Sequence, residues 1–265
     1  MRLFVLIFIF FKGQIIFANE FPNLFGCLCE GGLITGKISK NDKISIDGIK
    51  MNTFNNGEFI FAFGRKYKSE VIVKFNNTQK IFKVKKKKYK IERINGLPQK
   101  KVEPSKDDIK KIIEDKEKIN FSKKIGEKEK LFGSKFILPV DGRLSGVFGS
   151  QRILNSKPRR PHYGIDIAQK EGTPVVAPSS GKVKLVDHEM FFTGNTVIVD
   201  HGLGLISIFA HLKDIFVTEG QNLIIGEEIG SVGMTGRATG PHLHWGIYLG
   251  KKPVDPLALT QSDFY

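Results

Sequence analysis

The stretch TGRATGPHLHW, residues 235–245, joins a run of Gly, Thr, Ala and Pro to a segment in which polar and apolar side chains alternate. The first part is typical of a tight turn, and the alternation in HLHW is typical of a half-buried strand. Side chains at i and i+2 of a strand share one face, with Cα atoms about 6.8 Å apart. The stretch therefore predicts a β-sheet in which His242 and His244 enter one pocket, while Leu243 and Trp245 face the other way.

The rest of the C-terminal half has the same pattern of short apolar segments and turns. Apolar segments such as NTVIVDHG, GLISIFAHL and EEIGSVG alternate with glycine-containing turns. This spacing is typical of an all-β domain. We expect one mainly β domain over residues 134–260, with no helix of any length between residues 136 and 258.

A second, smaller β module is predicted over residues 31–95. Five short segments rich in β-branched and aromatic residues are separated by turn residues such as Asp47-Gly48 and Asn56-Gly57. Five short strands favour a small β-sandwich or an open barrel. The segment contains no histidine and no cysteine, so its expected role is binding or spacing rather than catalysis.

Residues 96–133 are expected to form a basic linker that contains one helix. Ser105 is a candidate N-cap, and the acidic Asp107 and Asp108 follow it, which is a typical helix start. The apolar stripe of this helix is thin and consists of Ile109, Ile112, Ile113 and Ile119. Because such a stripe buries little area, the helix should lie on a surface. Packing across a neighbouring groove, with limited access to it, is a second interpretation.

The first 18 residues, MRLFVLIFIFFKGQIIFA, resemble a secretory signal peptide. A positive start precedes an apolar run that is far shorter than the roughly 20 residues needed to span a bilayer. The segment predicts an exported protein, periplasmic or associated with the cell envelope. A short uncleaved anchor is the alternative, and it is the one route by which we expect contact with a membrane.

The two cysteines, Cys27 and Cys29, are separated by one residue. A disulfide at this spacing would close a very tight ring, so we expect two free thiols near a mobile terminus. They lie far in sequence from the histidines and are not counted as metal ligands. Lipidation of Cys27, which follows LFG, is an alternative.

The formal net charge is +15 at pH 7, and most of the excess lies before the histidine-containing half. A basic surface can bind nucleic acid or another polyanion. For an exported chain the anionic cell envelope is the nearer partner, so no nucleic acid is expected. A solvated linker is an equally good interpretation of the lysines, and the sequence leaves the oligomeric state open.

All six histidines lie after residue 160, so any histidine chemistry belongs to the C-terminal domain. HYGID supplies His162 and Asp166, which can approach one another only if the chain bends near Gly164. Two histidines and an aspartate leave the fourth position of a tetrahedral zinc ion open, as in catalytic zinc sites. His188 and His201 lack such partners and are expected to be structural.

Four motifs together carry a family resemblance. The HxxxD pattern, FAHL and TGRATGPHLH, preceded by GVFGSQR, resemble the lysostaphin-like, LytM-domain zinc metallopeptidases over roughly residues 139–256. The resemblance implies a compact antiparallel β fold of the duplicated hybrid motif type with an open groove, and cleavage of cross-linking peptides in peptidoglycan. By position it implies zinc ligands His162, Asp166 and His244. It also implies that His211 and His242 are the catalytic histidines.

The sequence has no HExxH motif and hence no ready glutamate base. A neutral histidine can take a proton from water and later protonate the leaving amine. His211 is the candidate base, and His242 would stabilise the oxyanion or share the proton transfer. The spacing does not decide between these two roles.

Three functional hypotheses follow. The first is an exported zinc endopeptidase of peptidoglycan cross-links, with one Zn²⁺ per chain. The second is a catalytically weak or inactive envelope-binding protein that regulates another cell-wall hydrolase. The third is a metallopeptidase that acts on a protein substrate. Cleavage of isolated sacculi or of defined peptides separates them.

Overall fold

The computed structural model describes residues 20–54, 56–96, 99–124 and 126–264. The signal-like segment of residues 1–18 lies outside them. The strands of the N-terminal half are β1 (Phe25–Gly26), β2 (Leu33–Lys37), β3 (Ile44–Ile46), β4 (Ile49–Lys50), β5 (Glu58–Ala62), β6 (Glu70–Phe75), β7 (Thr78–Lys83) and β8 (Ile91–Ile94). The first two helices, α1 (Gln99–Val102) and α2 (Lys106–Ser122), follow them. No helix among the described residues combines the length and the apolar character needed to cross a bilayer.

Two small sheets form a sandwich in the N-terminal half. One has the strand order β1-β2-β5 and the other β4-β3-β6-β7. Ile34 and Phe61 of the first sheet pack against Ile46 and Val73 of the second in one buried cluster. The alternation of apolar residues along these strands produces this inner layer, because successive side chains point to opposite faces. The predicted sandwich-like module is present.

The outer face of the β1-β2-β5 sheet is also buried. Leu33 and Ala62 belong to the same hydrophobic cluster as Phe148 and Val254 of the C-terminal domain. A strand that is buried on both faces consists mostly of consecutive apolar residues. Strand β5 fits this description, because all five of its residues are buried. The small module therefore shares a core with the C-terminal domain.

The cysteines differ from the expectation. Cys27 and Cys29 form a disulfide, their Cα atoms are 5.3 Å apart, and Cys29 is buried. The expectation of two free thiols near a mobile terminus is wrong. The physical reason is that the backbone is not extended at Leu28, so the two Cα atoms lie closer than the about 6.8 Å of an extended strand and within the range that a disulfide spans.

Helix α2 begins where the sequence predicts. The Ser105 side chain accepts a hydrogen bond from the N–H of Asp108, and the Asp108 side chain accepts one from the N–H of Ser105, which is a capping box. The helix lies on the surface against a strand of the C-terminal domain. Ile109 and Ile113 remain about half exposed, as the thin apolar stripe implies.

The C-terminal strands are β9 (Arg143–Gly146), β10 (Gln151–Leu154), β11 (Lys157–Pro158), β12 (Ile165–Ala168), β13 (Pro174–Val176), β14 (Gly181–Met190), β15 (Gly194–Asp200), β16 (Leu205–Ile215), β17 (Asn222–Leu223), β18 (Glu228–Val232), β19 (His242–Leu249) and β20 (Lys252–Val254). Ten of them form one antiparallel sheet whose main path is β17-β14-β15-β16-β19-β12-β9. The fully buried Trp245 and Phe209 lie in its core. The mainly β fold is confirmed.

Two features of the C-terminal half were not anticipated. A five-residue helix, α3 (Pro256–Thr260), begins after Asp255, whose side chain accepts a hydrogen bond from the N–H of Leu257. The expectation that no helix begins before residue 258 is wrong at this end, because Pro256 at the first helical position favours a helix start. Strand β8 also pairs in parallel with β10, and β11 completes a separate three-stranded sheet.

Candidate metal centre

Strand pairing brings the predicted site residues together. In the β12–β19 pair, Asp166 lies opposite His244, and Ala168 lies opposite His242. Strand β16 pairs on the other side of β19 and carries His211. Side chains at i and i+2 share a face, so the two histidines of β19 face the same side of the sheet. The register alone therefore gathers three of the site side chains.

His162 reaches this cluster because the chain bends before β12. The N–H of His162 donates to the carbonyl of Ser150 at 2.9 Å. A Cβ atom on Gly164 would lie 2.6 Å from the carbonyl oxygen of Trp245 and 2.7 Å from Cε1 of His244. The bend therefore requires glycine because the His244 ring approaches the backbone closely.

Three potential ligand atoms form a small triangle. His162 Nε2 lies 3.1 Å from Asp166 Oδ1 and 3.0 Å from His244 Nδ1, and His244 Nδ1 lies 2.8 Å from Asp166 Oδ1. Zinc binds nitrogen and oxygen ligands at about 2.0–2.2 Å in tetrahedral geometry, which separates two ligands by roughly 3.4 Å. The donor set and its spacing thus fit one divalent cation such as zinc.

Burial and hydrogen bonding prepare these groups for a cation. His162 and Asp166 are buried, and His162 Nδ1 lies 3.3 Å from the carbonyl oxygen of Val147. A carbonyl can only accept, so Nδ1 carries the hydrogen and Nε2 keeps its lone pair for a metal. Burial acts to raise the pKa of Asp166, but hydrogen bonds and charges from His162 and His244 outweigh it and hold that pKa well below its usual range. Asp166 is therefore anionic, as a carboxylate that binds a cation must be.

Two more histidines lie beside the triangle, and in each of them Nδ1 is hydrogen-bonded to a backbone carbonyl. His211 Nδ1 lies 2.8 Å from the carbonyl oxygen of Thr235, and His242 Nδ1 lies 2.8 Å from that of Gly240. Both Nδ1 atoms therefore donate, and both Nε2 atoms are free of the proton in the neutral tautomer. The ring centroids are 4.7 Å apart. This arrangement supplies two potential proton acceptors on one side of the candidate metal position.

Burial keeps His211 uncharged. It lowers the pKa of His211 to about 3, helped by the charges of His242 and His244. His211 also has a φ of 64°, which is rare for a residue with a side chain. Its N–H donates to the carbonyl of Thr193 at 2.7 Å, which holds this strained backbone. The chain thus fixes a neutral imidazole at neutral pH.

The remaining histidines lie apart from this cluster, as expected. His201 is fully buried and bonds the Ser180 carbonyl oxygen and the Ser207 hydroxyl, each at 2.8 Å. His188 is exposed on β14. The structure therefore gives His201 a structural position in the core.

Two charged residues at the centre were missed by the sequence reasoning. The Arg152 guanidinium contacts Asp166 Oδ2, and its Nε lies 3.4 Å from Glu92 Oε2. Arg152 lies in the quoted segment GVFGSQR, so a basic residue in that motif was the available signal. No feature of the sequence pointed to Glu92, because Glu92 approaches Arg152 only through the long-range pairing of β8 with β10.

The antiparallel β domain gathers His162, Asp166 and His244 in one cluster, and two more histidines lie beside it. This arrangement is typical of a metallopeptidase. Residues 160–256 match the model of peptidase family M23, so the C-terminal domain, called the M23 domain below, is similar to the zinc metallopeptidases of this family. The resemblance to lysostaphin-like and LytM-domain enzymes is thereby confirmed.

Individual relatives agree with this assignment. The chain is 37% identical over 122 residues to the peptidoglycan DD-endopeptidase ShyA of Vibrio cholerae, a match that covers 45% of this chain and 28% of ShyA. It is 35% identical over 127 residues to an uncharacterized metalloprotease of Haemophilus influenzae, covering 48% of this chain and 27% of the relative. The matched segment thus spans less than a third of either relative.

A solved structure matches far more of the chain. A Pseudomonas aeruginosa protein assigned to peptidase M23 superposes with a TM-score of 0.65 at 29% sequence identity, covering 88% of this chain and 94% of that chain. The shared fold therefore extends beyond the M23 domain into the N-terminal module.

Proposed function

We propose that this chain is an exported zinc endopeptidase that hydrolyses the cross-linking peptides of peptidoglycan. The observation that carries the proposal is the His–Asp–His triangle, with buried His162 and Asp166 and half-buried His244, and the two further histidines beside it. Three protein ligands leave one position for a reacting group, which distinguishes catalytic from structural zinc sites.

In this proposal His162, Asp166 and His244 hold one zinc ion per chain. Bound zinc supplies a Lewis acid that activates water and polarises the scissile carbonyl. The side chains do the remaining work. His211 and His242 each keep Nδ1–H bound to a backbone carbonyl, so each presents Nε2 to the reacting groups.

Proton transfer falls to these two histidines. His211, which is buried and neutral, accepts the proton of the attacking water at Nε2 as general base. His211 passes the same proton to the leaving nitrogen when the amide C–N bond breaks, which leaves a carboxylic acid and an amine. The acid then gives its remaining proton to the amine, so the products are a carboxylate and an ammonium group. His242 shares the proton transfer, and with a proton on Nε2 it donates a hydrogen bond to the developing oxyanion.

Peptidoglycan as substrate rests on the relatives and on the chain's chemistry. A relative such as ShyA is named a peptidoglycan DD-endopeptidase. The net charge of +15 suits an anionic envelope. The Cys27–Cys29 disulfide is stable in an oxidising compartment outside the cytosol, which supports export.

The test is digestion of purified sacculi by the full chain, followed by mass analysis of the released fragments. We expect cross-link peptides to be released by the wild type and not by His244→Ala or Asp166→Ala. His188→Ala is the matched control, because His188 is exposed and lies outside the cluster. Full release by both site variants would overturn the proposal. Binding to sacculi without release, with zinc supplied, would favour the regulatory alternative instead.

A further inference from the structure

We propose that Glu92, which lies outside the M23 domain, is a positioning residue of the metal centre and acts through Arg152 on Asp166. Glu92 anchors the Arg152 guanidinium, and Arg152 fixes the Asp166 carboxylate so that a single oxygen faces the metal position. The inference rests on the proposed zinc site and adds a contribution from the N-terminal half of the chain.

The two oxygens of Asp166 are divided between two partners. Oδ1 faces His162 and His244 at 3.1 and 2.8 Å, whereas Oδ2 contacts the Arg152 guanidinium. A Cβ atom at position 146 would lie 3.0 Å from that guanidinium and closer still to Oδ2, so Gly146 leaves the space for this contact. Arg152 therefore does not compete for the metal position. It keeps Asp166 from binding a metal through both oxygens, which would use the open position.

Arg152 is itself held from the N-terminal half. In the parallel β8–β10 pair, Arg152 lies directly opposite Glu92, and Arg152 Nε is 3.4 Å from Glu92 Oε2. Both side chains are less than one quarter exposed, so this ion pair is shielded more than a surface pair. Backbone hydrogen bonds fix the two strands, since Gln151 N–H donates to Lys90 and Asn155 N–H donates to Ile94.

The charges explain why an anion is needed at position 92. A guanidinium next to a metal ligand adds positive charge beside a divalent cation, and this disfavours metal binding. The Glu92 carboxylate offsets that charge without touching the metal. Removal of a group that orients a metal ligand without itself touching the metal lowers metal affinity by about 10- to 100-fold.

The experiment measures zinc affinity of the full chain by competition with a chromogenic chelator. Glu92→Gln keeps the shape of the side chain and removes its charge, and we expect a loss of affinity of about 10-fold. Glu92→Asp keeps the negative charge, so this variant should lose less zinc affinity than Glu92→Gln. The matched control is Glu70→Gln, an identical change at an exposed position on β6, which should leave the affinity unchanged.

A double-mutant cycle tests the route of the effect. Because Glu92 acts through the guanidinium, Glu92→Gln should have little further effect once Arg152→Gln is present. Wild-type zinc affinity in Glu92→Gln, or fully additive losses in the double variant, would overturn the proposal. A wild-type chain that binds no zinc would overturn it as well.

The two proposals fail separately. A wild-type chain that binds zinc but releases nothing from sacculi contradicts the peptidase function and leaves the role of Glu92 standing. Thermal unfolding of the zinc-free variants checks that the fold is retained, and kcat and KM on a soluble cross-linked peptide add a second readout. We expect Glu92→Gln to lower kcat at saturating zinc more than it raises KM.

Discussion

At the scale of single residues, the candidate metal centre depends on the close approach of the His244 imidazole to the backbone at Gly164. Gly164 lies under the His244 ring, with no space for a Cβ atom. We expect Gly164→Ala to displace His244 and to lower zinc affinity by at least 10-fold. Chelator competition measures this, and Gly133→Ala is the control because nothing lies within 4 Å of the Cβ position there. Unchanged affinity in Gly164→Ala would contradict the close contact.

His201 gives a pH dependence that is separate from the metal centre. Burial lowers the pKa of His201 to about 4, whereas an unfolded histidine has a pKa of about 6.5. Between these values the unfolded chain binds the proton more readily, so folding stability falls as pH falls from about 6.5 to about 4. We expect His201 to contribute a loss of about 2 kcal/mol between pH 7 and pH 5.

The measurement is denaturant unfolding at both pH values with a chelator present. His201→Gln removes the titrating group and should reduce the pH-dependent loss of stability, even if the variant is less stable at pH 7. An equal loss in the variant and the wild type would show that His201 does not carry this dependence. His188→Gln is the control, because His188 is exposed.

The sequence predicted the site residues better than their surroundings. HLHW, HxxxD and FAHL each place a histidine at a strand or next to a bend, so local spacing together with family resemblance pointed to five residues that the structure brings together. The charge chain of Glu92, Arg152 and Asp166 escaped prediction, because it depends on strand pairing between residues far apart in sequence. The disulfide was misjudged because spacing does not reveal a backbone bend.

At the scale of elements, α2 is held to the C-terminal domain by a buried carboxylate. Asp115 accepts a hydrogen bond from the N–H of Phe191 at 2.7 Å and pairs with Lys111. Lys118 adds an ion pair with Asp187 at 2.6 Å. A cavity of about 590 Å³ lies beside this junction and is lined by Asp108 and Thr235, among others. The first turn of α2 therefore lies near Thr235, whose carbonyl accepts the hydrogen bond from His211.

We expect Asp115→Ala to destabilise the protein by about 1–3 kcal/mol, because it removes the buried carboxylate that accepts a hydrogen bond from the Phe191 N–H. Amide exchange in α2 should become faster than in the wild type. Asp107→Ala is the control on the same helix, since Asp107 is exposed and such changes stay within about 0.5 kcal/mol. Equal stability of the two variants would show that α2 does not depend on this contact.

At the scale of the whole molecule, the sandwich and the M23 domain share one hydrophobic core. Periodicity predicted the strands of the N-terminal module, yet it could not predict which sheet face meets the neighbouring domain. Leu33, Ile60 and Ala62 lie in the cluster that contains Phe148 and Val254. The boundary expected at residue 134 therefore crosses packed apolar surface.

We expect a chain that begins at residue 134 to be less stable than the full chain and to bind an apolar dye, because the truncation exposes this shared surface. Unfolding by denaturant and dye fluorescence measure the two effects. A truncated chain with the stability of the full protein and no dye binding would contradict the shared core. A full-length Leu33→Ala variant should be destabilised by about 2–5 kcal/mol without loss of the N-terminal module.

The pairing of β8 with β10 has a consequence for building chimeric enzymes. A designer who exchanges M23 domains between relatives would naturally cut the chain at the edge of the family match, near residue 160. Such a cut would take Asp166 from one parent, while Arg152 and Glu92 came from the other. Recombination that keeps all three from one parent must begin upstream of β8, so the exchangeable unit is longer than the segment that matches the family model.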